Sequence, residues 1–248
     1  MKIEALMNDF ATRSFRDIAD QDYIAARLSY RYGLYSQFHW QSLQAIEKYL
    51  KAILLYNRIK ASDINHNLEC ALKHTKKLPF RIRRSKSTDE FINHISNFGR
   101  FRYLESSYFI HGPKIVELDK AIWEIRRYCT VVNYDIKQDG EIKNMLQLEI
   151  QKIKESEKHP PHTFRISGGL LEKIVENKNN SSRSALIWQN AFFGKVTRKQ
   201  VSVPTAFQAV NSPLYLHPEI LEEILKFVFL PKEVADAYRE VAKKKSDA

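Results

Sequence analysis

The stretch FHWQSLQAIEKYLKAILL, residues 38–55, decides the fold, together with His66-Asn67-Leu68 a short loop later. Leu43, Ile46, Leu50, Ile53 and Leu54 recur at intervals of three and four, which places them on one stripe of an α-helix. A stripe of this width faces a core rather than a ligand. Glu47 and Lys51 fall one turn apart on another face, in the acid-before-base order that supports a helix, and are expected as a surface pair.

The flanking segments extend the same pattern. Tyr23, Ala26, Tyr30 and Leu34 predict a helix over 20–34. Leu68, Ala71 and Leu72 predict a short one over 65–77, started by an Asn cap and stopped by Pro79. Ser87 and Glu90 form a capping-box pattern ahead of Phe91, Ile92, Ile95 and Phe98, with Gly99 closing that helix. Ile115, Leu118, Ile122, Ile125, Cys129 and Val132 predict a long helical seam over 114–132. These elements predict a mainly α fold, an antiparallel helical bundle over 1–135.

Beyond it, Ile142, Met145, Leu146, Ile150 and Ile153 mark one face of a charged helical extension that starts near Asp139 and Gly140. It ends in Lys158-His159-Pro160-Pro161-His162, which no helix continues through. The segment 136–162 is therefore read as extension and linker, and 163–248 as a smaller C-terminal α or α+β appendage. There, 170–176 predicts a short charged helix. Residues 195–203 alternate like a strand that pairs with 214–216, and 220–228 and 234–241 return to helix.

At 248 residues, with 44% hydrophobic and 28% charged residues, the chain can bury a full core. No apolar run reaches the roughly 20 residues that span a bilayer, and Glu4 and Asp9 interrupt any signal-peptide core. A cytoplasmic protein with no membrane partner is the expectation. Cys70 and Cys129 make no disulfide framework and no Cys-x-x-Cys pair, so both are expected reduced on helices. The net charge of +11 is uneven: positions 51–102 hold twelve Lys or Arg against four Asp or Glu. Such a segment favours a polyanion or an acidic protein partner, or is a solvated cationic surface.

Residues 38–55 and 66–68 resemble the second and third helices of HEPN domains, where a helix reading roughly Q-A-x-E-K-x-L-K-A-x-L-L leads through a loop to H-x-L. The resemblance covers about the first half of the chain. It implies a compact helical unit that binds nucleotides or cuts RNA, a homodimer, and a prokaryotic setting in defence, a toxin-antitoxin pair or stress response. HEPN ribonucleases carry Arg, four to six residues, then His near the start of the last bundle helix. In that chemistry His moves a proton at the ribose 2′-hydroxyl or the leaving oxygen, Arg stabilises the charge on phosphate, and no metal takes part. The nearest pair here is Arg102 and His111, with eight residues between them, which departs from the motif; a structural role for His111 stands beside the catalytic one.

Arg100, Phe101 and Tyr103 interleave charge with stacking faces and are candidate RNA- or nucleotide-binding residues, as are Arg81, Arg83 and Arg84. His66 is expected to cap or pack, His159 and His162 to belong to the linker, and the aromatic run Trp188, Phe192 and Phe193 to anchor a core. Ser181 and Ser182 lie in no nucleophile elbow. No Walker loop, dinucleotide fingerprint or zinc spacing is present, so no cofactor or metal is expected. Three functions follow: an RNA- or nucleotide-binding protein, a metal-independent endoribonuclease acting as a dimer, or a non-catalytic adaptor for a protein partner.

Overall fold

The computed structural model describes residues 3–99, 105–196, 198 and 200–246. Twelve α-helices are described: α1 (Ile3–Phe10), α2 (Asp17–Arg31), α3 (Tyr35–Tyr56), α4 (Leu68–His74), α5 (Lys86–Phe98), α6 (Lys114–Arg126), α7 (Leu146–Glu155), α8 (Leu170–Glu176), α9 (Arg183–Ile187), α10 (Pro213–Leu216), α11 (Leu221–Ile224) and α12 (Lys232–Ser246). Four short strands accompany them: β1 (Tyr108–Gly112), β2 (Asp135–Gln138), β3 (Glu141–Asn144) and β4 (Ala206–Val210). None of the described helices is long and apolar enough to cross a membrane.

The fold is mainly α, and α3 is its axis. Its whole apolar stripe, Leu43, Ile46, Leu50, Ile53 and Leu54, is fully buried against α2, α5 and α6. Helix α2 stops at Arg31, three residues short of the expected end, because Gly33 turns the chain with φ +73°. Leu34 is left exposed. Asn67 caps α4, its side chain accepting from the Cys70 N–H at 3.0 Å. Helix α5 starts earlier than the capping-box pattern predicts. Ser85, in extended conformation, accepts from the Thr88 N–H, and Ser87 is already helical. Gly99 ends α5 where it crosses α3: a Cβ there would lie 2.6 Å from the Ile95 carbonyl and 2.8 Å from that of His39.

Three expectations are corrected. The seam of α6 ends as a helix at Arg126, although Tyr128, Cys129 and Val132 stay buried in the turn beyond. The segment at Asp139-Gly140 is a hairpin, not the start of a helix: β2 and β3 pair antiparallel across a turn in which both residues have positive φ, 52° and 88°, the conformation Asp-Gly favours between strands. The strand near the C-terminus is 206–210 rather than 195–203, and it pairs with β1, Ile110 opposite Gln208 and His111 opposite Phe207. Residues 213–216 are helical because Ser212 caps them, accepting from the Leu214 N–H.

Leu171, Ile174, Val175, Ala185, Leu186 and Ala206 belong to the apolar cluster of the bundle. Leu214, Leu221, Leu230, Val234 and Tyr238 form a second, smaller one. Buried arginines stitch α8 and α9 to the bundle. Arg126 holds Asp20 of α2 at 2.7 and 2.9 Å and Glu172 of α8 at 2.7 and 2.8 Å, and the Tyr49 hydroxyl donates to Asp20 at 2.5 Å. Arg27 binds Asp119 and the carbonyls of Ala185 and Trp188; the Tyr23 hydroxyl donates to Asp119 and accepts from Asn190. Burial opposes the Arg126 charge, but Asp20 and Glu172 outweigh it and hold the proton more firmly than on a free arginine. Burial likewise raises Glu172, yet the Arg126 charge and hydrogen bonds bring its carboxyl below the usual range.

Near the C-terminal end of α5, His39 and His94 face each other with Nε2 to Nε2 at 3.0 Å. Burial, followed by His94 and Lys114, pushes His39 down to about 3. His94 falls to about 4, from burial and then Lys114.

Replacing Arg126 by Met strands two carboxylates at the α2–α8 contact. The expected loss is about 3–5 kcal/mol, read as a fall in the urea midpoint; an unchanged midpoint refutes the role given to this arginine. Stability should also fall on acidification below about pH 6.5, because the unfolded chain takes up protons that the folded histidines refuse. At pH 5 the share of His39 alone is about 2 kcal/mol, 1.5 pH units at about 1.36 kcal/mol each. Urea titrations at pH 7 and 5 check this, and His39→Gln should flatten the dependence; equal slopes in both proteins contradict it.

Candidate nucleic-acid interface

Between α4 and α5 the chain runs extended, and the alternation of a strand sorts its side chains. Leu78 and Ile82 are buried, while Arg81 and Arg83 are exposed. Phe80 stacks on Tyr128, centroids 5.6 Å apart and nearly parallel, and the Tyr128 hydroxyl accepts from the Arg83 N–H at 3.2 Å. Two apolar pins and one hydrogen bond thus hold the segment flat along the turn after α6. It forms one side of an open groove of about 1170 Å³, whose other walls come from α4, α6 and Glu157.

The groove is cationic but not uniformly so. Lys73, Lys76, Arg81, Arg83, Arg84 and Arg127 line it, with the acids Glu69, Asp89, Glu124 and Glu157. Arg83 pairs with Glu157 at 3.1 Å, Arg84 with Asp89 at 2.6 Å, and Lys73 with Glu69 at 2.9 Å. Glu124 accepts from the Ser85 N–H at 2.8 Å. Arg81 and Lys76 have no ion-pair partner among the described residues. Exposed pairs such as that of Arg83 are weak and readily exchanged for a phosphate.

Arg127 is different in kind. It is 2% exposed, donates to the Ile153 carbonyl, the Ser156 hydroxyl and Glu157, and lies 3.9 Å over the ring of Trp123. It builds the groove wall and covers the face that Trp123 would offer a base.

Of the predicted site residues, Arg81, Arg83 and Arg84 come together here. Arg100, Phe101, Arg102 and Tyr103 lie outside the described residues. His111 is on β1 rather than at a helix start, exposed, with Phe207 edge-on at 6.0 Å. It belongs to the other end of α5, whose 13 residues span about 20 Å.

Glu47 is not the surface residue the helical pattern predicts. It is 2% exposed, because His66 folds over it with Nδ1 at 2.7 Å, while Lys51 reaches it at 2.6 Å. His66 adopts φ +55° to do so and packs edge-on against Trp40, the packing role expected of it. Trp188 and Phe193 lie against the bundle core, as the anchor reading has it.

A family model for the HEPN domain matches residues 12–137, just over half of the chain. The chain belongs to the HEPN domain family. No curated protein and no solved structure matches it. The groove is lined largely by the HEPN region, with Glu157 from beyond it.

One convergence leaves almost no mark in the sequence. Asp63, Cys70 and His74 form the single group of three metal-type donors found among the described residues, with all donor atoms within 4.8 Å of one another. Its only signal is the i, i+4 spacing of Cys70 and His74 on α4.

Proposed function

We propose that this HEPN protein binds RNA or a nucleotide through phosphate contacts in the groove, with Arg81, Arg83 and Arg84 as its cations. The observation that carries the proposal is the flat 78–85 segment, pinned by Leu78 and Ile82, which turns Arg81 and Arg83 into one open cleft. Arg100, Phe101 and Tyr103 belong to the same reading as a second contact. The biological setting that goes with it is prokaryotic defence, a toxin-antitoxin pair or stress response, with a homodimer as the working unit.

The test is fluorescence anisotropy with labelled single-stranded RNA over a range of salt. Each phosphate contact adds about 0.7 to the slope of log K against log salt for a single strand. Arg81→Ala/Arg83→Ala/Arg84→Ala should therefore weaken binding and flatten the slope by about 2. A triple variant with wild-type affinity and slope rules the groove out. Absence of any binding to RNA or nucleotide at low salt leaves the adaptor function.

A second reading is metal-independent RNA cleavage by Arg102 and His111 across a dimer. It is favoured by the exposed His111 ring, which has no hydrogen bond among the described residues and is open to a bound ribose. Labelled RNA incubated with chelator should be cut by the wild type and spared by both Arg102→Ala and His111→Ala. Intact RNA under excess protein, or cleavage that survives both substitutions, sinks it.

A further inference from the structure

The loop after α3 folds back over α4, and there Asp63, Cys70 and His74 meet. Cys70 and His74 stand one helical turn apart, so their side chains leave the same face of α4. Asp63 approaches from the loop, its carboxylate Oδ2 at 3.1 Å from His74 Nε2.

The hydrogen bonding of His74 restricts what this contact can be. Its Nδ1 lies 2.8 Å from the Lys60 carbonyl oxygen, which can only accept, so Nδ1 carries a hydrogen. In a neutral ring that leaves Nε2 as a lone pair. Nε2 and the Asp63 oxygen are then two acceptors facing each other, which holds only if a second ring proton or a metal cation lies between them. A histidine whose far nitrogen donates to a backbone carbonyl is also the arrangement that orients metal-bound imidazoles.

Cys70 favours the cation. An imidazolium–carboxylate pair needs no third group, yet a half-buried thiol completes this one, and its hydrogen bond to the Asp63 carbonyl is long, at 4.0 Å. One thiolate, one imidazole and one carboxylate form the mixed set that suits a borderline-soft divalent ion. Tetrahedral coordination separates such donors by roughly 3.3–3.6 Å. The nitrogen–oxygen distance is already close to that, and donors no more than 4.8 Å apart reach it by shifting about 1 Å. His74 is 13% and Asp63 56% exposed at the side chain, so one coordination position opens to water.

We propose that Asp63, Cys70 and His74 bind one Zn²⁺-class ion, clamping the loop after α3 onto α4. The adjoining face of α4 carries Lys73 into the groove, so the ion would stiffen that wall, while the site itself does not depend on nucleic-acid binding.

The test uses the full chain, reduced and freed of metal with chelator, titrated with Co²⁺ and then Zn²⁺. One Co²⁺ per chain should bind with a thiolate-to-cobalt charge-transfer band and the strong visible absorption of a tetrahedral site, and Zn²⁺ should displace it. Cys70→Ser should abolish the charge-transfer band and weaken Zn²⁺ binding at least about 100-fold, since even outer-shell partners cost about 10–100-fold. Asp63→Asn should keep the band and lose about tenfold or more; being exposed, it carries the test if Cys70→Ser fails to fold. His159→Asn/His162→Asn should change nothing. Co²⁺ bound without a thiolate band, equal Zn²⁺ affinity in the Asp63 variant, or loss of binding in the His159/His162 variant would overturn the site.

Discussion

Arg126 is the constraint on which the rest of the structure depends. A guanidinium 3% exposed is tolerated only when its donors are matched, because desolvating the charge costs several kcal/mol before any partner is counted. The match here comes from two directions: Asp20 fixes α6 against α2, and Glu172 fixes α8 against both. Gly169 shows how tight this is, since a Cβ there would sit 2.0 Å from the Glu172 oxygen and 2.9 Å from the Arg126 guanidinium. Arg27 repeats the device one layer away, reaching from Asp119 to the carbonyls of Ala185 and Trp188. Apolar contact alone would let α8 and α9 slide on the bundle, whereas donors and acceptors at these distances meet in one register.

The same helix end shapes the groove. Arg126 and Arg127 are consecutive and both buried, but they leave the end of α6 in different directions, one toward α2 and α8, the other toward the end of α7. Arg127 draws in Glu157, and Glu157 in turn takes Arg83. A structural ion pair and a candidate phosphate contact therefore share one carboxylate. A polyanion entering the groove competes with Glu157 for Arg83, not for Arg127, whose Nη1 is held by the Ile153 carbonyl and the Ser156 hydroxyl and whose side chain is buried.

What was legible in the sequence follows from which physical rules act locally. The α3 stripe and the end of α5 at Gly99 depend on nearby residues, and each formed where periodicity or punctuation put it. The hairpin at Asp139-Gly140 was equally local, but the spacing of Ile142, Met145 and Leu146 imitated a helix. The β1–β4 pairing was out of reach, because strands nearly a hundred residues apart carry no mark of each other. Glu47, Arg27 and Arg126 carry no sign of their burial in the sequence for one reason: a pattern that sends charge to the surface does not distinguish a charge that buries itself with a partner. The count of twelve cations over 51–102 had the converse weakness, since it could not register that Glu157, far along the chain, neutralises Arg83.

The distance between the two ends of α5 bears on how binding and cleavage relate. Its exposed face presents Lys86, Glu90, Asn93 and Asn97, one cation, one anion and two amides, with Lys86 and Glu90 3.6 Å apart. A strand passing from the Arg81–Arg84 groove toward His111 would cross a face with no net charge over about 20 Å, where, among the described residues, Lys86 is the one exposed cation and is shared with Glu90. Affinity and any chemistry at His111 are thus separable properties of this HEPN bundle. The anion binding proposed for the groove does not require a working pair at the far end of α5. The departure of Arg102 and His111 from the ribonuclease spacing does not touch the groove, because nothing that builds it, Leu78, Ile82, Tyr128 or Arg127, comes from that end of the helix.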